Sequence, residues 1–241
     1  MSSSNLYITQ DTELSDIVRA YPGSMLFLEH FDIHVPFQTK TVDKICSEHN
    51  ISSDLFIAFA NLYLGKDSYQ IPKLRFSDLP AIIRYLHNNH KYYLDEIYPK
   101  IQQCIKLIMG LNDLDESKLV EKFFQDYFNE VREHLNYENS VVFPFVTGLY
   151  DVFINKIPYR QRNAYSVSEY KDHHSDIEEK LDDLMSLLIK YLPHKNDQQA
   201  RRELFHLLVE LDYDLKVHAR IEDLILVPLV EKLEKQLNAK P

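Results

Sequence analysis

The sequence predicts an all-α protein, an up-down-up-down four-helix bundle preceded by a small helical N-terminal domain. Three observations lead there. Only 4 glycines occur in 241 residues while 45% of the residues are hydrophobic, so the chain has ample core material and little of the turn chemistry that short strands need. Four long segments, about 77–110, 115–149, 165–192 and 197–237, place apolar residues at helical spacing, as in Leu181, Leu184, Leu188 and Tyr191. Their links are short to moderate, which favours antiparallel neighbours.

Residues 1–70 read as the small domain, with amphipathic pieces at about 12–21, 24–31, 40–49 and 53–64. Pro22-Gly23 separates the first two, and Ser52-Ser53-Asp54 offers an N-cap for the last. The stretch IPKLRFSDLP, residues 71–80, carries two prolines and reads as the linker to a bundle over 81–241. Within the bundle, Gly110 sits at the first break, Gly148 near the second and Pro193 after the third. Ser166, Ser168 and Asp197 are candidate caps near helix starts.

The formal net charge is −10, and no Lys/Arg run forms a basic face, so a nucleic-acid partner is not expected. Cys46 and Cys104 form no CxxC motif and no disulfide framework. They read as reduced thiols of a cytoplasmic protein. The N-terminal MSSSNLYITQD lacks the apolar core of a signal peptide, and no stretch has the length of a membrane span.

The two halves of the bundle resemble each other. HLNYENSVVFP runs from His134 to Pro144, and HARIEDLILVP from His218 to Pro228. Each reads His, three residues, Glu, five residues, Pro. Each is preceded by a helix with its own histidine: His174 follows His87 by 87 residues, and His218 follows His134 by 84. The pattern implies two helical hairpins related by an approximate two-fold, with their half-sites face to face.

Positions i and i+4 lie roughly 40° apart on a helix. His134/Glu138 and His218/Glu222 therefore each project an imidazole and a carboxylate in one direction. A single such pair is usually a surface hydrogen bond. On apolar helices, duplicated, and with a further histidine on each partner helix, it points to metal, because a buried ionised carboxylate is costly without a counter-charge. The candidate ligands are His87, His134, Glu138, His174, His218 and Glu222. His90, one turn beyond His87, rivals it, as His173 rivals His174. Glu178, four residues after His174, is read as part of a solvated acidic face. Four imidazoles and two carboxylates exceed what one tetrahedral zinc needs and suit two iron or manganese ions bridged by both carboxylates, with an oxo or hydroxo bridge. The Glu-x-x-His pattern of ferritin-like di-iron sites fits only Glu203/His206, without a second copy. HExxH, GxxxxGK and GxSxG motifs are absent.

At RYLHNNH, HLNYENSVVFP, HHSDIEEKL and HARIEDLILVP the chain resembles the hemerythrin-like di-iron family, and more narrowly its repair-of-iron-centres subgroup. The pieces occur in the family's order and spacing. The resemblance implies two irons rather than manganese, and selects His87 over His90 and His174 over His173. The N-terminal stretches LSDIVRAYPGSMLFLEHFDI and TKTVDKICSEHNIS resemble the short helical domain of that subgroup. One departure is clear: where the family carries a Cys-Cys pair, this chain reads HVPFQTK. The respiratory members carry a further histidine where Glu178 stands, which weakens an oxygen-carrier reading. The resemblance implies a role in repairing iron–sulfur clusters damaged by nitrosative or oxidative stress, with damaged iron–sulfur proteins as partners. The alternatives are binding or sensing of O2 or NO, and a nitric oxide reductase or peroxidase activity.

Overall fold

Helices form every extended element among the described residues of the computed structural model, which are 7–66, 69–111, 115–157, 177–191 and 197–239. The one β pairing among them is an isolated bridge between Glu13 and Thr41. None of the described helices is long and apolar enough to cross a membrane. Compactness divides the chain into two units: Met1–Asn88 with Phe145–Ala164 and Val217–Pro241, and Asn89–Pro144 with Tyr165–Lys216.

The first unit begins with α1 (Leu14–Ala20), α2 (Ser24–His30), α3 (Val42–Glu48) and α4 (Ser53–Tyr63). They are short because caps and breakers punctuate this part of the chain. Thr41 Oγ1 accepts from the Lys44 N–H at 3.4 Å and so starts α3. Ser52 Oγ accepts from the Leu55 N–H at 3.3 Å and starts α4, the cap expected from sequence. Gly65, at φ 65°, ends α4 in the left-handed conformation that glycine adopts without strain.

Aromatic rings fill the core of this unit. Phe31 lies with its centroid 5.4 Å from Phe27, 5.4 Å from Phe56, 5.6 Å from Phe59 and 4.6 Å from Tyr85. Asn61 is fully buried. It accepts from the Ile8 N–H at 3.3 Å and donates to Ile57 O at 2.9 Å, tying the chain entry to α4. In the HVPFQTK segment Phe37 is buried.

The long segments follow as α5 (Leu79–Lys91), α6 (Tyr98–Leu111), α7 (Asp115–Tyr137), α8 (Phe143–Asn155), α9 (Ile177–Tyr191), α10 (Gln198–Ile221) and α11 (Val227–Asn238). The expected linker gives way to helix early. A 3-10 turn spans Phe76–Asp78, the Asp78 carboxylate accepts from the Arg75 N–H at 2.8 Å, and α5 starts with Pro80 in its first turn. Gly148 marks no break. It lies inside α8, whose apolar stripe continues through Val146 and Leu149. A helical glycine costs only about 1 kcal/mol relative to alanine, so packing decides. Asp197 precedes α10, and its carboxylate holds the Arg201 guanidinium at 2.8 Å through both oxygens. Ser166, Ser168 and Pro193 lie outside the described residues.

In the second unit four helices share one core. Ile101, Ile105 and Ile108 of α6 meet Phe124, Val131 and Leu135 of α7, Leu181, Leu184 and Leu188 of α9, and Leu204, Leu208 and Leu211 of α10. The spacings of three and four residues give each helix one buried stripe.

Three π-helical segments interrupt the long helices: Tyr92–Ile97, Glu138–Val142 and Glu222–Leu226. The N–H groups of Tyr98, Phe143 and Val227 donate five residues back, to the carbonyls of Tyr93, Glu138 and Glu222. In each case a proline, Pro99, Pro144 or Pro228, follows directly. Proline has no N–H and its ring crowds the carbonyl four residues back. One wider turn relieves that crowding and lets the helix run on.

Phe31→Ala removes the ring around which the first unit's aromatic residues pack. The expected loss is about 3–5 kcal/mol of unfolding free energy. Denaturant unfolding followed by circular dichroism measures it, and a loss below about 1 kcal/mol would show that the cluster is not a cohesive core.

Candidate metal centre

The end of α7 delivers two of the expected ligands together. His134 and Glu138 are one turn apart, and His134 Nε2 lies 3.2 Å from Glu138 Oε1. The other carboxylate oxygen, Oε2, lies 3.3 Å from His90 Nε2. Side-chain exposure is 0% for Glu138, 1% for His90 and 11% for His134, so the carboxylate is removed from water with an imidazole at each oxygen. In the other unit His218 Nε2 lies 3.4 Å from Glu222 Oε1, with Glu222 again at 0% exposure and His218 at 5%.

Burial opposes ionisation of Glu138, but hydrogen bonds from His134 and His90 and their charge outweigh it. The carboxyl is held well below the usual carboxylate range. Its charge therefore needs a lasting counter-charge, either a proton on an imidazole or a metal ion.

The setting of His90 favours metal. Its Nδ1 lies 3.0 Å from Asn139 Oδ1, so that the tautomer with its proton on Nδ1 donates to this oxygen and leaves Nε2 free to bind metal. A partner on the far ring nitrogen is the usual way a ligating histidine is oriented. The ring also stacks on Phe143, with centroids 5.2 Å apart and planes at 23°. One buried and one part-buried imidazole thus meet a buried carboxylate, donors of the kind that hold a metal ion.

His90 was set aside on the sequence in favour of His87. The structure puts His90 against Glu138 and leaves His87 half-buried one turn earlier. The physical reason is the stripe of α5. Ile82, Leu86, His90, Tyr93 and Ile97 are all buried at intervals of three and four, and His87 lies beside that line. A second signal was also present: 84 residues separate His90 from His174, His134 from His218, and Glu138 from Glu222. His87 breaks this register and His90 keeps it. Asn139, the residue that orients His90, was not singled out from sequence. His173 and His174 lie outside the described residues, as does the side chain of Glu178.

Each half-site coincides with a π segment. Glu138 and Glu222 are the first residues of theirs, and the third begins two residues after His90. One turn on from each glutamate the apolar side chains are buried, Val142 after Glu138 and Ile225 and Leu226 after Glu222. The thiols stand apart from this chemistry. Cys46 is fully buried, and burial pushes its thiol up to about 12 despite a hydrogen bond with Ser53; burial raises Cys104 as well. Neither has the low pKa of a reactive thiol.

No protein-family model, curated protein or solved structure matches the chain.

His90→Ala should lower bound metal at least several-fold in protein expressed with iron, and His87→Ala should leave it nearly unchanged. Elemental analysis of the purified variants, with circular dichroism to confirm folding, reads the difference. Equal loss in both, or loss only in His87→Ala, would overturn the assignment of His90.

Proposed function

We propose that this chain is a non-haem di-iron protein of the hemerythrin-like kind that supports recovery of iron–sulfur clusters after nitrosative or oxidative damage. The observation that carries the metal reading is the duplicated, buried imidazole–carboxylate pair, His134/Glu138 and His218/Glu222, repeated at one register and each set at a π segment. In this reading His90, His134 and Glu138 would supply one half of the donor set. His174, His218 and Glu222 would supply the other, four imidazoles and two carboxylates in all. His90 takes the place first given to His87.

The donor set suits two irons, and manganese is the second choice. When bound, the pair supplies redox chemistry and open positions for a small ligand such as O2, NO or peroxide. The chain's own residues do the rest. Asn139 holds the direction of the His90 ring. Glu138 and Glu222 would supply the carboxylate donors. Val142 beside Glu138, and Ile225 and Leu226 beside Glu222, give each half-site apolar buried neighbours.

The four helices that share the second unit's core accord with an up-down-up-down order. The repair role and the damaged iron–sulfur partners rest on the sequence resemblance, and a cytoplasmic setting on the reading of Cys46 and Cys104 as reduced thiols. The buried Cys46 and the HVPFQTK segment favour a role that works through the metal and not through thiols.

Protein from iron-replete medium should contain about two irons per chain, and azide should change its optical spectrum. The same preparation should restore activity to an iron–sulfur enzyme inactivated with NO, and His134→Ala should not. A mononuclear zinc protein would overturn the di-iron reading. Iron loading without any reactivation would overturn the repair role alone.

A further inference from the structure

A second site lies in the first unit, among residues that the metal reading does not use. A cavity of about 700 Å³ opens between the segment before α5, the end of α8 and the middle of α11. Small-molecule sites occupy roughly 300–1,000 Å³, so its size suits an organic ligand. Its apolar wall is Phe153, Ile154 and Leu229. Leu229 is buried, whereas Ile154 is 52% exposed, a large apolar side chain left open to solvent at this spot. Phe76 meets Phe153 edge to face, with centroids 5.1 Å apart, which fixes the wall.

The rim has the opposite character. Lys73, Arg75 and Lys232 line it, and no aspartate or glutamate does. This occurs in a chain whose acidic residues outnumber its basic ones by 37 to 27. None of the three cations has a carboxylate at salt-bridge distance among the described residues. Elsewhere on the surface lysines do find such partners, as Lys40 does with Glu48 at 2.6 Å and Lys216 with Asp212 at 2.8 Å. The backbone at Arg75 is held by Asp78, so the cationic edge is presented from an anchored turn.

Three cations without carboxylate partners beside an open apolar wall fit a ligand with one anionic head and one apolar tail. The apolar tail would cover Ile154 and Phe153, and the head would meet the charges, an arrangement stronger than either contact alone. We propose that this cavity binds an amphiphilic anion, a carboxylate or phosphate monoester carrying a single medium-length alkyl chain.

Isothermal titration of the full-length, metal-loaded protein with decanoate and with decyl phosphate tests this. At least one should bind with one-to-one stoichiometry, at least tenfold more tightly than decanol or decylamine. The stronger of the two identifies the head group. Charge reversal in Arg75→Glu/Lys232→Glu should weaken binding at least tenfold while iron content and circular dichroism stay unchanged, and Ile154→Asp should weaken it without touching the cationic rim. Equal binding of decanol, unchanged affinity in the charge-reversed protein, or no binding of either anion would each overturn the proposal. So would association with anionic phospholipid vesicles in the absence of one-to-one binding of the free anions, since a membrane surface would then be the partner. Metal content serves only as a folding control here, so failure of this site and failure of the di-iron reading are distinguishable.

Discussion

The organisation of the candidate centre depends on one constraint: the Glu138 carboxylate is ionised and has no access to water. Taking a carboxylate out of water costs several kcal/mol even after the surroundings relax. The chain meets that cost by bringing His134 and His90 to its two oxygens, at 3.2 and 3.3 Å. Asn139 and Phe143 then hold the His90 ring in place. Each of these residues is explicable by what Glu138 requires. Glu222 with His218 repeats the requirement in the other unit.

The π segments connect this constraint to the backbone. Pro99, Pro144 and Pro228 each forbid the ordinary hydrogen bond four residues back, and the helix answers with a bond five residues back. The extra residue turns the side chains beyond it relative to those before it. In the segment after His90, neighbouring Tyr92 and Tyr93 both reach carboxylates of α10, Glu210 and Asp214, one turn apart. Tyr93 and Asp214 are buried and lie 2.7 Å apart through the phenol hydrogen, so this segment carries a polar pair inside an apolar core. Glu138 and Glu222 begin their segments, which places each carboxylate where the helix is widest. The same prolines thus account both for the continuity of the long helices and for the local geometry at the half-sites.

Much of this was legible beforehand because local physics dominated. The N-terminal helices fall within about two residues of the boundaries expected from caps and breakers, and Ser52 caps α4 as its position suggested. His134/Glu138 and His218/Glu222 were legible because i,i+4 spacing and duplication are visible in the letters alone. Gly148 misled because glycine is a weak breaker against a continuing apolar stripe. The resemblance points to His87, whereas the buried stripe of α5 runs through His90. The π segments were not read, since a 3.6-residue pattern hardly registers one inserted residue. Their mark is a proline just past the segment, at Pro99 as well as at Pro144 and Pro228.

The central claim is that a metal cation, and not a proton, balances the buried carboxylates. Anomalous diffraction at the iron absorption edge from crystals of the iron-loaded protein tests it directly. The account predicts two peaks per chain, both within bonding distance of Glu138 and Glu222, with His90 Nε2 and not His87 as a ligand. A map without peaks beside Glu138, or a single ion bound through His87 with His90 turned away, would contradict it.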